Sequence, residues 1–270
     1  MARERLYRLE AIVLKRSDIG EADRLLTLLT PARGKLRVIA KGARKPSSRK
    51  SGHVELFTRI ALLLAQGKQL DIITQADTLD TRQTLRANLD RIGYAYYLAE
   101  LVDQFAAEEN ENLALFELLD HALTWLGDAA TNPILLARFF ELHLLTHVGY
   151  RPQLFVCENC GKPVEPIENY FSITTGGVLD PNCVATQREH IEGRARDAQT
   201  LSLNALKALR YLQTRSWDTV RAVRLSAATH AEIETLLYRY IAHHLERNLK
   251  SVEFLRELRQ PSVMAERESR

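Results

Sequence analysis

The chain has 270 residues, of which 46% are hydrophobic and 26% charged, the composition of an ordinary globular protein with room for more than one domain. Apolar runs such as residues 60–65 are far too short to cross a bilayer, and the N-terminal MARERLYRLE lacks the apolar core of a secretory signal. Three cysteines close together, without an export signal, predict a reducing compartment, so we expect a cytoplasmic protein.

The net charge of +3 hides a local excess of cations. Residues 24–54 contain nine Lys and Arg and no Asp or Glu, so the remaining 239 residues carry a net charge of −6. Such a separation of charge is typical of a surface that binds a polyanion, although a merely solvated basic face is the alternative interpretation. The nine cations are Arg24, Arg33, Lys35, Arg37, Lys41, Arg44, Lys45, Arg49 and Lys50.

The first 80 residues have the pattern of β-strands. Residues 9–15 and 25–30 are apolar and rich in β-formers, and the polar stretch 16–23 between them predicts a loop. After a turn at 31–34 come a strand at 35–41 and two more, 54–65 and 70–76, around a hairpin turn. Five strands in about 80 residues predict a small closed barrel, of which the oligonucleotide-binding (OB) fold is a common example.

The third strand alternates polar and apolar residues, so one face is expected to join the core and the other to carry cations. Its apolar side is Leu36, Val38 and Ala40, and its other side Lys35, Arg37, Ile39 and Lys41. Residues 41–52, rich in Gly, Ser and cations, predict a basic loop. A nucleic-acid strand lying across this surface would release the counterions condensed on its phosphates. Because only Phe57 is near enough to stack on a base, we expect backbone contacts with weak sequence preference.

After Asp80 the pattern changes to that of helices. Asn132-Pro133 predicts a capped helix that stops at Gly149, Ser202 is a candidate cap for a second, and Thr229 and Glu232 have capping-box spacing at the start of a third. We therefore predict an α+β chain. Its parts are a barrel at 1–80, a helical domain at 81–151 and 192–258, an inserted cysteine module at 152–191 and a flexible tail at 259–270.

The inserted module has the spacing of a zinc site. Cys157-x-x-Cys160 is a pair that suits a tetrahedral metal, and a four-thiolate ribbon would carry a further cysteine where Asp180 precedes Cys183. Carboxylate oxygen also ligates zinc, so we predict one structural Zn²⁺ held by Cys157, Cys160, Asp180 and Cys183, with His190 as an alternative fourth ligand. The alternative interpretation is a degenerate module that folds by packing and no longer binds metal tightly.

Two features of the helical region have a plain structural interpretation and a functional one. His143 and His147 stand four residues apart, but their apolar surroundings favour core or boundary positions over a metal site. Arg138 lies among Phe139 and Phe140, in a stripe more typical of core. An apolar pocket with a cationic rim would also suit an acidic, hydrophobic peptide that ends in a carboxylate.

No enzyme motif is present in the sequence. Gly34-Lys35 lacks the first glycine of a phosphate-binding loop, and neither G-x-S-x-G nor a dinucleotide fingerprint occurs. We therefore expect a protein without enzymatic activity.

Four segments of the chain resemble the bacterial RecO family of DNA repair and recombination mediators. They are EAIVLKRSDIGEADRLLTLLTPARGKLRVIAKGARK, FELHLLTHVGYRP followed by CENC, GGVLDPNC and LERNLKSVEFL, in this order over most of the chain. The resemblance implies an N-terminal OB barrel and a helical domain interrupted by a zinc-ribbon-like module. Asp180 departs from the four-cysteine form, and because some family members lack the cysteines, metal need not be required for function.

The resemblance implies a recombination mediator that hydrolyses no nucleotide and is associated with the nucleoid. RecO-like proteins bind single- and double-stranded DNA, anneal complementary strands and, with RecR and often RecF, help to load RecA onto DNA coated by single-stranded DNA-binding protein (SSB). They also recognise the acidic C-terminal tail of SSB in the helical domain, for which Arg138 is the candidate contact here. The implied DNA contacts are Lys35, Arg37, Lys41, Arg44 and Lys45, to which the basic segment adds Arg33, Arg49 and Lys50. An OB-fold protein that acts on structured RNA, or a scaffold that binds an acidic protein, is the alternative.

Overall fold

The computed structural model describes residues 6–45, 48, 50–187, 197–246 and 249–258. The described residues within Met1–Thr131 and Leu249–Arg270 form a first compact unit, and those within Asn132–Asn248 form a second. This division falls inside 81–151, the range predicted as one part of a helical domain. The predicted tail, 259–270, lies outside the described residues. None of the described helices combines the length and the apolar character that a membrane span requires.

The first unit begins with a closed five-stranded barrel in the order β1-β2-β3-β5-β4. Its strands are β1 (Leu6–Ile19), β2 (Asp23–Thr30), β3 (Gly34–Ala40), β4 (Arg59–Ala65) and β5 (Asp71–Asp80). Neighbouring strands pair antiparallel except β3 and β5, which run parallel. The predicted small barrel is confirmed, and five strands closed in this way agree with the OB fold.

Three strand boundaries differ from the prediction by four or more residues, one of them the end of β5, which runs to Asp80 and not to 76. The polar residues 16–23 are not a loop: β1 continues to Ile19, β2 begins at Asp23, and the two residues pair with each other. Polar side chains do not end a strand when they face outward, because the backbone ladder carries the pairing. The fourth strand begins at Arg59, later than the predicted start at 54, since Phe57 takes a positive φ of 64° that interrupts the extended chain.

The predicted alternation along β3 is confirmed. Leu36, Val38 and Ala40 are buried in the barrel core, whereas Arg37 is exposed. Pairing with β2 fixes this register, and a slip of one residue would bring the cations into the core.

The described part of the first unit also contains a short 3-10 helix (Ser51–His53) and the α-helices α1 (Gln83–Arg86), α2 (Leu89–Phe105), α3 (Leu113–Gly127) and, from the far end of the chain, α9 (Lys250–Leu258). Asn88 and Asn112 cap α2 and α3 with their side-chain oxygens. The Glu100 carboxylate of α2 accepts hydrogen bonds from the backbone N–H groups of Lys250 and Ser251, at 3.0 and 2.8 Å. These contacts hold the start of α9 against α2.

The second unit combines helices with a three-stranded antiparallel sheet in the order β7-β6-β8. Its elements are α4 (Pro133–His147), β6 (Asn169–Ser172), β7 (Gly177–Leu179), α5 (Pro181–Gln187), β8 (Gln199–Leu201), α6 (Leu203–Thr214), α7 (Trp217–Val220) and α8 (Ala227–Leu245). The third strand, β8, lies beyond the range 152–191, so the sheet extends past the predicted module.

Two of the three predicted helix starts in this unit are confirmed. The Asn132 side chain caps α4, and the Ser202 hydroxyl caps α6. The third prediction was wrong, because Ser226 and not Thr229 caps α8. Glu232 does not turn back to its own helix start; it accepts hydrogen bonds from the Ser202 N–H and hydroxyl at 2.7 and 2.6 Å. The carboxylate thus stabilises the start of α6.

Candidate nucleic-acid interface and metal centre

Two predicted DNA contacts on β3 have acidic partners from distant parts of the first unit. The Lys35 ammonium donates to the backbone carbonyl of Asp103 at 2.6 Å and lies 3.7 Å from the Asp103 carboxylate. The Arg37 guanidinium lies 3.3 Å from the Glu108 carboxylate. Since Asp103 is near the end of α2 and Glu108 follows it, the acid-free window 24–54 could not reveal either pair.

Arg33, in the turn before β3, belongs to a denser network. Its guanidinium lies 3.1 Å from the Glu109 carboxylate and 3.7 Å from that of Asp71, and it donates to the Tyr7 hydroxyl at 2.7 Å. The Tyr7 hydroxyl in turn donates to Asp71. Burial and this bond to Asp71 raise the pKa of Tyr7 to about 12, so Tyr7 stays a neutral donor at physiological pH.

The connection between α2 and α3 is seated on the first residues of β3. We call residues 106–111 the acidic segment, because three of its six residues are glutamates. The Lys35 N–H donates to the Ala107 carbonyl at 3.4 Å, and the Glu109 N–H donates to the Lys35 carbonyl at 3.0 Å. Gly34 has a φ of 56°, and a Cβ there would collide with the Asn110 carbonyl. Glycine satisfies both the conformation and the close approach.

The cations that follow β3 have a different environment. The strand ends at Ala40, so Lys41 lies in the next turn and not in the strand row where it was predicted. Lys41 and Lys45 are exposed and form no ion pair with any residue that the structure describes. Lys50 donates to the Ile73 carbonyl at 3.0 Å and has no acidic partner within the described ranges. We call Lys41, Lys45 and Lys50 the open group, and Arg33, Lys35 and Arg37 the paired group.

Two predicted DNA contacts, Arg44 and Arg49, belong to neither group. Arg44 lies 3.3 Å from the Asp18 carboxylate and donates to the Gly20 carbonyl at 3.1 Å, so it holds the loop after β3 against the β1–β2 turn. Arg49 lies outside the described residues.

A half-buried apolar row lies between the cations on the outer face of the barrel. The register places Leu25 of β2 beside Ile39 of β3, and Ile39 beside Ile72 of β5. Lys15 of β1 is exposed and is paired through the backbone with Thr27, next to Arg37. The sequence analysis did not include Lys15, because it lies outside the acid-free window 24–54 and acidic residues follow it at 18 and 21.

The four predicted metal ligands of the second unit come together. The ligand atoms of Cys157, Cys160, Asp180 and Cys183 all lie within 4.8 Å of one another. The Cys160 thiol donates to the Asp180 carboxylate at 3.2 Å, and the Asp180 N–H lies 3.4 Å from the Cys157 sulfur. Three sulfurs and one carboxylate are a donor set that suits zinc, so the side chains fit the predicted ion. His190, the alternative ligand, lies outside the described residues.

Local turns place these ligands. After Cys157 the chain reverses through Gly161, whose φ is 69° and whose N–H donates to the Cys157 carbonyl at 2.9 Å. Asp180 follows β7 and accepts the Cys183 N–H at 2.8 Å, in the manner of a helix N-cap for α5. Capping brings the carboxylate and the Cys183 thiol to the same side of the turn.

Ionisation at this cluster follows from its hydrogen bonds. Burial opposes ionisation of Asp180, but hydrogen bonds from the Cys183 N–H and the three thiols outweigh it and lower the pKa of this carboxyl. Burial, together with the neighbouring carboxylate and thiols, raises the pKa of Cys183 to about 12. A bound cation would reverse the second effect, since a metal stabilises thiolates.

The remaining predicted residues of the second unit are internal. Arg138 is 3% exposed, and its guanidinium donates to the Glu141 carboxylate at 2.6 Å. A peptide carboxylate would have to displace Glu141 to reach it. The His143 ring nitrogen lies 3.1 Å from the Leu212 carbonyl, and burial lowers the pKa of both His143 and His147. These positions agree with the core or boundary interpretation.

Two successive segments of the chain match the models of the N-terminal and C-terminal domains of one protein family. Residues 1–82 match the N-terminal domain of recombination protein O, and residues 86–253 match its C-terminal domain. The chain belongs to the RecO family. Its N-terminal match spans the barrel, and its C-terminal match contains the cysteine cluster and the helices from α2 to α8.

RecO-family relatives are similar over almost the whole chain. The DNA repair protein RecO of Roseiflexus sp. (strain RS-1) is 48% identical over 258 residues, which are 96% of this chain and 88% of that protein. DNA repair protein RecO of Desulforudis audaxviator (strain MP104C) is 38% identical over 255 residues, 93% of this chain and 97% of that protein. The DNA repair protein RecO of Dehalococcoides mccartyi (strain BAV1) is 36% identical over 253 residues, which are 94% of this chain and 96% of that protein. Family membership supports a role in DNA repair by recombination.

Proposed function

We propose that this RecO-family chain binds single- and double-stranded DNA through its barrel and anneals complementary strands in recombinational repair. The open group carries the proposal. Lys41 and Lys45 are exposed at the end of β3, and neither is paired with an acid among the described residues. Unpaired cations on an ordered barrel gain free energy from a phosphate backbone by releasing its counterions.

Annealing by such a surface needs no active site. Cations between two strands lower their mutual repulsion, so complementary bases find their register while both strands stay bound. The apolar row of Leu25, Ile39 and Ile72 offers contact to sugars or bases without reading base edges. We therefore expect binding with weak sequence preference and steep salt dependence.

The partners implied by the family form part of the same proposal. We expect the chain to act with RecR, and with RecF in some contexts, to load RecA onto SSB-coated single strands without hydrolysing a nucleotide. In the second unit, Arg138 is the proposed contact for the SSB tail. Because Glu141 holds its guanidinium at 2.6 Å, tail binding at Arg138 would require this buried pair to open.

The proposed cofactor is one structural Zn²⁺ on Cys157, Cys160, Asp180 and Cys183. When bound, the ion would link the turn after Cys157 to the start of α5 and so stabilise the fold of the second unit. Asp180 would contribute both the fourth donor and the capping hydrogen bond to the Cys183 N–H.

An annealing assay with labelled complementary strands, with and without SSB, tests the proposed function. We expect the protein to accelerate annealing, and we expect its affinity for single-stranded DNA to fall roughly 10²-fold or more between ~50 and ~200 mM salt. Failure to accelerate annealing would contradict the mediator role, and salt-insensitive binding would contradict the backbone model.

Direct competition between single-stranded DNA and a structured RNA of equal length separates the alternative function. Preference for the RNA would favour an RNA-binding OB protein. Absence of binding to either ligand would favour a scaffold that binds an acidic protein.

A further inference from the structure

The acidic segment places carboxylates where the proposed function expects phosphates. Glu108 lies 3.3 Å from Arg37, and Glu109 lies 3.1 Å from Arg33. A small polar cavity of about 140 Å³ lies beside these contacts, and Lys35, Arg37, Asp71, Glu108 and Glu109 are among the residues that line it. Two carboxylates along one edge of β3 thus lie against the same side chains that a DNA backbone would contact.

The segment is held there by its backbone as well as by its charges. The Glu109 N–H donates to the Lys35 carbonyl at 3.0 Å, and the Asn110 carbonyl lies against Gly34, where no side chain fits. The carboxylates therefore stay next to β3 even when their side chains leave the arginines. A tethered anion has a high effective concentration, so it competes with free ligands.

We propose that Glu108 and Glu109 are an internal competitor for DNA phosphates at Arg37 and Arg33. This inference rests on the proposed function, since it concerns the regulation of the same surface. DNA first binds the open group, and consecutive phosphates then replace the two carboxylates on the arginines. A small isolated anion cannot bind the open group and displace the two carboxylates at the same time, whereas a DNA strand can. The acidic segment therefore favours the binding of a continuous phosphate backbone over that of small anions.

The exposure of the partners indicates which pairs exchange. The side chains of Arg37 and Glu108 are 51% and 57% exposed, and exposed pairs of this kind contribute little net stability, so a phosphate can displace the carboxylate. The Lys35 and Asp103 side chains are 15% and 21% exposed, so that pair stays closed as part of the fold. Arg33 is intermediate, since Asp71 lies 3.7 Å from it and remains after Glu109 leaves.

The test uses a Glu108→Gln/Glu109→Gln variant and measures its affinity for single-stranded DNA. Glu111→Gln is the matched control, because it removes an acid of the same segment that forms no ion pair with a described residue. We expect the double variant to bind about three- to tenfold more tightly than the wild type, and Glu111→Gln to change the affinity less than twofold.

The salt dependence gives a second measurement that a purely structural contact would not change. In the wild type each displaced carboxylate takes up a cation from solution when DNA binds, and this offsets part of the counterion release. Without the two carboxylates, the slope of log K against log salt should become steeper by up to about 1.4 for single strands. The increase in DNA affinity caused by Glu108→Gln/Glu109→Gln should also disappear in an Arg33→Gln/Arg37→Gln background, because the two arginines for which carboxylates and phosphates compete are then absent.

The possible results separate this proposal from the proposed function. If the wild type binds DNA and the Glu108→Gln/Glu109→Gln variant matches Glu111→Gln in affinity and slope, the internal competitor is refuted while DNA binding stands. If the variant gains affinity equally in the Arg33→Gln/Arg37→Gln background, net charge explains the gain and the proposal is also refuted. If neither protein binds DNA, the proposed function itself fails. A thermal unfolding midpoint within a few degrees of the wild type is required of every variant.

Discussion

The cysteine cluster and the basic surface of the barrel differ in how far apart along the chain their interacting side chains lie. In the cluster, four side chains from residues 157–183 come within 4.8 Å through local turns and one short helix. On the barrel, the partners of Arg37 and Lys35 are acids of the helical part of the unit, Glu108 and Asp103. A candidate metal site can therefore be recognised from short spacing, whereas the charge of a surface depends on every element that packs beside it.

Loss of one thiol should have the largest effect. We expect the wild type to carry one equivalent of zinc and Cys157→Ser to lose it, with an affinity lowered more than about 100-fold, because three donors no longer close the site. Metal content after purification and competition with a chromophoric chelator measure this. Asp180→Cys is the control and should bind at least as tightly as the wild type. A metal-free wild type would support the degenerate module instead.

The seat of the acidic segment is the next most sensitive point. Gly34→Ala should lower the free energy of unfolding by about 2 to 3 kcal/mol, since a Cβ meets the Asn110 carbonyl at a φ of 56°. Gly20→Ala is the matched control: its φ is 55°, but a Cβ there meets nothing within 4 Å, so it should cost only about 1 kcal/mol. Denaturant unfolding compares them, and equal losses would show that the contact with Asn110 does not matter.

The two groups of cations should differ in their contribution to DNA binding. Lys41→Gln/Lys45→Gln and Arg33→Gln/Arg37→Gln remove the same charge, but only the lysines are free of carboxylates among the described residues. We expect the lysine pair to weaken single-stranded DNA binding about tenfold, with a salt slope shallower by about 1.4, and the arginine pair about threefold or less. Titrations at several salt concentrations test this order. The reverse order would place the DNA on the paired group.

The smallest expected effect concerns acid stability of the second unit. Burial lowers the pKa of His143 in the folded state, so its contribution to stability is present above the unfolded pKa of about 6.5 and is lost as pH falls through the folded value. Between pH 7 and 5 the wild type should lose more stability than His143→Gln, by at most about 1 kcal/mol per pH unit. Unfolding of both proteins across this range measures the difference, and parallel curves would contradict it.

Much of the fold was predictable because its signals are local. The alternation of β3 follows from a side-chain period of two, and the caps at Asn132 and Ser202 follow from side chains that bond the next turn. The grouping of the four candidate ligands, Asp180 included, was predictable for the same reason, since a cysteine pair with two residues between its members and a helix start determine their spacing. Where a distant partner competes, prediction failed: Glu232 bonds Ser202 instead of its own helix start.

By itself, the sequence determined that a cationic strand would face outward from a barrel and that three thiols and a carboxylate would share one module. Both follow from periodicity and spacing within a few residues. Only the tertiary structure decided which of those cations are free. Arg33, Lys35 and Arg37 are neutralised by acids from α2 and the acidic segment, while Lys41 and Lys45 are not paired within the described chain. Coulomb attraction acts through space over a few ångströms, so it depends on which elements pack together and not on their separation along the chain.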